Sequence, residues 1–250
     1  MRRNRRGLTS MLENAVHGLS TQPVDVAWQF ALERATVAEV VATRQPRLWL
    51  WRPTKAIVLT SRERELAESV TARSFAEQGW AAVVRDTGGG PVALGPACLN
   101  VSWLTPLNSV TSIEQGYLAF CQPLLAALAG FGVQAYCAAL PGSYCDGRFN
   151  LLVAGRKLAG TAQRIYGTAQ GPARLSHAVL HVLPGVVEQL AALNRFLGLA
   201  KSAEQMSPEH LICVTDVNRD ASYDAVGAAI QGEFARVRGN DKVGPSTGEF

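Results

Sequence analysis

Residues 142–164 read GSYCDGRFNLLVAGRKLAGTAQR, and this stretch governs how the rest of the chain is taken. One apolar run covers 149–153 and a second, more polar run covers 157–165, with Ala154 and Gly155 between them. Two extended runs around a two-residue turn that ends in glycine predict a β-hairpin. Strict alternation along the second run predicts that Lys157, Ala159, Thr161 and Gln163 share one face. Leu158, Gly160, Ala162 and Arg164 take the other. Lys157 then points along a row of small neighbours, with room for a linear ligand beside an ammonium group. Such an ammonium can polarise an acyl carbonyl or stabilise its oxyanion.

Just upstream, the loop 141–147 presents Cys145 between Gly142 and Gly147. Arg148, Arg156 and Lys157 are the nearby cations that can lower its pKa and raise the thiolate fraction. A thiolate can carry an acyl group as a thioester, which stays reactive toward an amine. Without that chemistry the same stretch is a basic surface hairpin with one buried cysteine. His177 and His181 lie on a later strand and read as structural.

A second candidate site lies at 85–91, RDTGGGP, between strands expected at 81–85 and 99–104. Gly88, Gly89 and Gly90 carry no Cβ, so a ligand can approach the backbone and its N–H groups. Arg85 at the strand end can meet a carboxylate or phosphate, and Thr87 lies within the same loop. The loop is neither a Walker A motif nor GxGxxG, and its bland reading is a tight turn.

Outward from these sites, Ala27, Phe30, Ala31, Val37, Val40 and Val41 predict a helix over 24–43. Strands are expected at 48–51 and 56–60 around a turn at Pro53 and Thr54, then a helix from Ser61 to about Gln78. Ser112 and Gln115 form a capping box for a helix over 113–129. A short strand at 133–137, another at 178–183, and helices at 186–197 and 223–236 complete the pattern. Strands in hairpin-like groups with helices between them predict an α+β fold, with a mixed, mostly antiparallel sheet flanked by helices. The expected organisation is a disordered basic tail at 1–20, one catalytic domain over 21–240 and a frayed end at 241–250.

Composition narrows the function classes. The 250 residues are 48% hydrophobic and 18% charged, which describes a compact enzyme-like domain. The net charge of +4 owes much to Arg2, Arg3, Arg5 and Arg6, with no basic stripe interleaved with aromatics, so nucleic acid is not an expected partner. No apolar run approaches the roughly 18 residues of a membrane span, and a cytoplasmic location is expected. Five cysteines without a CxxC pair argue against a structural metal site.

Taken together, these segments resemble the superfamily of lipoate–protein ligase A, octanoyltransferases and biotin ligase. RDTGGGPV at 85–92 resembles its R-x-S-G-G-G-A-V loop, and GRKLAGTA at 155–162 resembles its G-R-K-x-x-G-x-A motif. The resemblance implies a biotin/lipoate protein ligase-like catalytic domain in which Lys157 contacts an acyl carbonyl. Arg85, Thr87, Gly88, Gly89, Gly90, Ala159, Gly160, Thr161, Ala162 and Gln163 would surround the acyl group. The setting of Cys145 and the LNVS strand at 99–102 are similar to cysteine-dependent amidotransferases that move octanoate from the glycine cleavage H protein. That implies transfer through a Cys145 thioester to a lipoyl carrier domain, without a cofactor. The alternative is an ATP- and Mg-dependent lipoate ligase with Arg85 near the phosphate; the full triple glycine favours it, the missing His-Asp-x-Gly-Asn stretch does not. A non-catalytic protein that binds an acylated carrier is the third reading.

Overall fold

The computed structural model describes residues 18–108, 112–140, 147–200 and 207–240. β1 (Gly18–Val24) and α1 (Val26–Thr43) are followed by β2 (Arg47–Pro53) and β3 (Ala56–Leu59). A 3-10 turn at Ser61–Glu63 leads into α2 (Arg64–Ala67), α3 (Val70–Glu77) and then β4 (Ala81–Val84), β5 (Val92–Leu94) and β6 (Cys98–Pro106). Next come α4 (Ile113–Ala129), β7 (Tyr136–Ala138), β8 (Asn150–Val153), β9 (Arg156–Thr168) and β10 (Gly171–His181). The described chain closes with α5 (Val186–Leu199), a 3-10 turn at Pro208–His210, α6 (Val214–Val217) and α7 (Tyr223–Asn240).

Seven strands form one sheet in the order β1-β2-β6-β10-β9-β8-β7, and β4-β3-β5 form a smaller one. Among the described strands only the β1–β2 and β3–β4 pairings are parallel, so the fold is the expected α+β type with mostly antiparallel pairing. Alternation sends Leu48, Leu50, Leu99, Val101, Ala178 and Leu180 to one face of the large sheet, against Phe120 and Leu124 of α4 and Ile230 and Phe234 of α7. The opposite face packs against Val37 and Val40 of α1 and Val58, Val92 and Leu94 of the small sheet. Behind the small sheet, Ile57 and Leu59 meet Phe75 of α3 and Phe196 of α5. The site lies in the middle layer, between the two sheets.

Several local expectations hold. Ser112 and Gln115 form the reciprocal capping box at the start of α4. Ala154 and Gly155 both take positive φ, 48° and 75°, as a tight two-residue hairpin requires.

Others are corrected. The strands at 47–53 and 56–59 are not partners; they belong to different sheets. Pro53 ends the first because proline offers no N–H to continue the ladder. The helix expected from Ser61 to Gln78 is three pieces, because Thr60 and Ser69 each cap a new start with their side chains. Residues 18–20, read as tail, belong to β1, whose Leu19 packs so closely on α7 that a Cβ on Gly227 would lie 2.6 Å from its Cδ1. β5 was not expected; three buried apolar residues carry too short a pattern.

The strict alternation around Lys157 also fails. Leu152 pairs with Lys157 but Leu151 pairs with Ala159, so Leu158 is an extra residue in β9. This β-bulge turns the Lys157 side chain onto the face of Gly160 rather than that of Ala159.

Candidate functional site

The glycine-rich loop is pinned at its start. The Arg85 N–H donates to the Leu59 carbonyl at 2.9 Å, extending the pairing of β3 with β4. The Asp86 carbonyl accepts from Arg164, and its carboxylate meets Arg34 at 3.1 Å and accepts from the Tyr166 hydroxyl at 3.3 Å. That carboxylate, after burial itself, helps push Tyr166 up to about 12. The Arg85 guanidinium then donates across the loop to the Gly90 carbonyl at 2.8 Å. Gly89 takes φ 107°, a conformation that few other residues accept.

Inside the loop, the buried Thr87 hydroxyl lies 3.2 Å from Nδ1 of His177. The His177 Nε2 lies 2.8 Å from the Glu33 carboxylate, which also accepts from Gln29 at 3.0 Å. A carboxylate can only accept, so Nε2 carries a proton toward Glu33. Phe30 stacks on the imidazole at 5.7 Å. This chain of groups lies in the wall of a cavity, and the sequence reading of His177 missed it. The available signal was Gln29, Glu33 and Thr36, polar residues on the same buried stripe of α1 as Val26, Val37 and Val40.

The cavity has two lobes. The first is bounded by Phe30, Trp51, Val58, Asn100 and Ser102. The second is bounded by Gly90, Gly160, Thr161 and Ala162. Arg85, Val92, His177 and Val179 border both, so the lobes form one groove between the sheets.

Lys157 is fully buried and lies against Gly160, which lines the second lobe. A Cβ on Gly160 would stand 3.3 Å from its Cε and 3.5 Å from its Nζ. Its backbone is held from behind: Ile212 N–H donates to the Lys157 carbonyl at 3.1 Å, and Leu211 bridges to it in parallel. His181 Nδ1 lies 3.2 Å from the same carbonyl. Burial, and then the Lys157 charge, bring the His181 pKa down to about 4.

The structure thus brings Arg85, Thr87, Gly90, Gly160, Thr161, Ala162 and Lys157 to one groove or its rim. Gly88 and Gly89 belong to the loop that carries Gly90. Ala159 and Gln163 are placed elsewhere. Ala159 is in the core under α4 and α7, and the Gln163 side chain donates to the Ile113 carbonyl at the start of α4. The Thr161 hydroxyl donates to the Phe149 carbonyl at 2.7 Å.

Cys145 lies outside the described residues. Of the other cysteines, Cys98 and Cys213 are buried; burial pushes both thiols up, Cys213 to about 12. Cys137 differs: a hydrogen bond with Cys121 draws its pKa down. Among the described residues no group of three or more His, Cys, Asp or Glu could hold a metal ion, and no helix is long and apolar enough to cross a membrane.

A family model described as the lipoyl protein ligase A/B catalytic domain matches residues 25–235. An uncharacterized protein of Cupriavidus necator is 34% identical over 182 residues, 67% of this chain and 72% of that protein. The octanoyl-GcvH:protein N-octanoyltransferases of Geobacillus kaustophilus and Kyrpidia tusciae are 35% and 30% identical. Those matches take in 56% and 70% of this chain and 50% and 63% of the two transferases, so the chain spans less than two thirds of their length.

Among solved structures, a lipoate-protein ligase A bound with ATP superposes with a TM-score of 0.68 at 20% identity, over 90% of this chain and 86% of that one. A bi-partite lipoate protein ligase from Thermoplasma acidophilum, studied with its E2 lipoyl domain, gives 0.60 at 19% identity, over 87% and 82%. At these identities the two likenesses establish the fold.

Proposed function

The chain belongs to the lipoyl protein ligase A/B catalytic domain family, and from that premise we propose that it transfers an octanoyl or lipoyl group to the lysine of a lipoyl carrier domain through a thioester on Cys145. One observation carries the reading: a fully buried lysine, Lys157, lies against Gly160, which lines a groove together with Gly90 of the glycine loop and Ala162. A buried ammonium beside small residues suits a linear acyl chain whose carbonyl it holds. Each CH₂ buried in the groove contributes about 0.8 kcal/mol to binding. The names of the octanoyltransferase relatives support an acylated glycine cleavage H protein as donor.

The reaction needs two transfers. The Cys145 thiolate adds to the acyl carbonyl of the donor while Lys157 donates a hydrogen bond to its oxygen. The C–S bond forms, the C–N bond breaks, and the donor lysine amine leaves with the proton that the Cys145 thiol gave up. The amine of the acceptor carrier then attacks the thioester, forming the new amide and returning its proton to the departing sulfur as the thiol. One amide replaces another, so the exchange is nearly thermoneutral and consumes no ATP.

A second reading rests on the triple glycine at 88–90, the ligase-like feature of the chain: activation of free lipoate with ATP and Mg, with Arg85 near the phosphate. Intact mass spectrometry of an apo lipoyl domain separates the two. Acylation from octanoyl-H protein without ATP, abolished by Cys145→Ala, is the expected outcome. Acylation only from free lipoate or octanoate with ATP and Mg²⁺ would overturn the thioester route. Carrier binding without any change of mass in either arm would leave a non-catalytic acyl-carrier binding protein.

A further inference from the structure

Beyond the groove, two cysteines meet at one edge of the large sheet. β7 is the last strand in the sheet order, with β8 as its neighbour. Cys137 of β7 pairs with Leu151 of β8, and Leu151 belongs to the core that α4 covers. Cross-strand partners share a face, so Cys137 points toward α4, while the adjacent Tyr136 points away and is exposed. On the helix, Tyr117 and Cys121 stand one turn apart on one side. The Tyr117 ring stacks on Phe149 with centroids 4.5 Å apart, and the Cys121 Sγ lies 4.0 Å from the Phe149 carbonyl oxygen. These contacts seat Cys121 over the end of the sheet, where its thiol is hydrogen-bonded to that of Cys137.

The two thiols are not equivalent. Cys121 is buried, out of direct reach of a solution oxidant, whereas Cys137 is half-buried on the edge strand. The hydrogen bond between them favours the thiolate on Cys137 and the proton on Cys121. An accessible thiolate backed by a buried thiol is suited to oxidation in two steps. The sulfurs start in contact, so joining them asks for side-chain rotation rather than rearrangement of the sheet. Cys98 and Cys213 are arranged differently: both are buried, and their thiols donate to the Gln189 side chain and the Leu183 carbonyl.

We propose that Cys121 and Cys137 form a redox-modification site, at which a peroxide converts the two thiols into a disulfide that ties α4 to β7. The Cys137 thiolate attacks one peroxide oxygen. The S–O bond forms, the O–O bond breaks, and the departing hydroxide takes up the proton that the Cys137 thiol gave up, leaving as water. The Cys121 sulfur then attacks the sulfur of the Cys137 sulfenic acid. The S–S bond forms, the S–O bond breaks, and the oxygen leaves as water with the Cys121 proton. Two thiols are oxidised to one disulfide, and one peroxide is reduced to two waters. The site uses no group of the acyl groove and stands apart from the acyl-transfer reading.

Peptide mapping of the purified full chain tests it. The folded chain is treated with hydrogen peroxide, the excess is removed with catalase, free thiols are blocked, and the digest is run without reductant. The expected result is a bridged pair of peptides joining Cys121 to Cys137, lighter by about 2 Da than the two thiol peptides together and separated again by dithiothreitol. Cys145→Ser should form the same bridge. Cys121→Ser should stop Cys137 at the sulfenic acid, which dimedone traps; Cys121→Ala serves in the same role if the serine variant does not fold. The absence of a Cys121–Cys137 bridge in the treated chain, a bridge from either cysteine to Cys145 in its place, or failure of dimedone to label Cys137 in the Cys121 variant overturns the assignment. Each of these outcomes leaves the acyl groove untouched.

Discussion

A Cβ on Gly160 would stand 3.3 Å from Cε of Lys157, so the ammonium lies over the strand because residue 160 has no side chain. A valine there adds two methyls where the lysine now runs and narrows the groove. Gly160→Val is expected to lower acyl transfer by about a hundredfold or more, the scale of a misplaced reacting group. Gly160→Ala, which asks the lysine to yield only a few tenths of an ångström, should lose less. Transfer rates measured on variants with unchanged circular dichroism check this; a fully active valine variant would remove Lys157 from the reaction.

Glu33 anchors both His177 and Gln29 from inside the protein. Glu33→Ala strands both partners and is expected to cost at least about 2 kcal/mol of stability. Glu33→Gln keeps the shape and should cost less. Urea denaturation of the two variants reads the difference, and a loss below about 1 kcal/mol for the alanine would show that the pair is not formed in solution.

His181 gives stability a pH dependence with a defined sign. Its pKa is about 4 in the folded chain, against about 6.5 for a free histidine. The unfolded chain therefore takes up a proton first. This contribution is fully present above pH 6.5 and is lost as pH falls toward 4, about 2 kcal/mol of it by pH 5. Denaturation midpoints at pH 7.5 and 5.0 should show the loss, and His181→Gln should flatten it. A variant with the same slope as the parent would assign the dependence to other groups.

The described cysteines should separate by reactivity. Hydrogen bonding with Cys121 lowers the Cys137 pKa and Cys137 is half-buried, whereas Cys98 is buried with its thiol pushed up. The thiolate is the nucleophile, so iodoacetamide under native conditions is expected to label Cys137 well before Cys98 and Cys213. Peptide mass mapping over time gives the order, and early labelling of Cys98 would contradict the burial seen at the start of β6.

How much of this was legible in the sequence depends on range. The capping box of Ser112 and Gln115 and the hairpin turn at Ala154 and Gly155 depend on near neighbours, and a reading of neighbours finds them. The separation of β2 from β3 into different sheets depends on strands far along the chain, which no local pattern contains. Lys157 was found by type and motif, yet its direction was not, because the bulge at Leu158 arises from pairing with β8. Glu33 and His177 lie 144 positions apart and meet only once α1 packs on β10. Asn100 falls within an expected strand, but that its buried amide meets no hydrogen-bond partner among the described residues is a property of three dimensions alone.

The Lys157 carbonyl is tied down by Ile212 and Leu211, which follow nearly everything else in the groove. A chain emerging from the ribosome displays Arg85, the three glycines and His177 well before those two residues exist. Until they are made and thread back against β9, the lysine lacks its rear support. A nascent chain should therefore be unable to acylate a carrier it meets before Leu211 and Ile212 have left the exit tunnel and packed against β9.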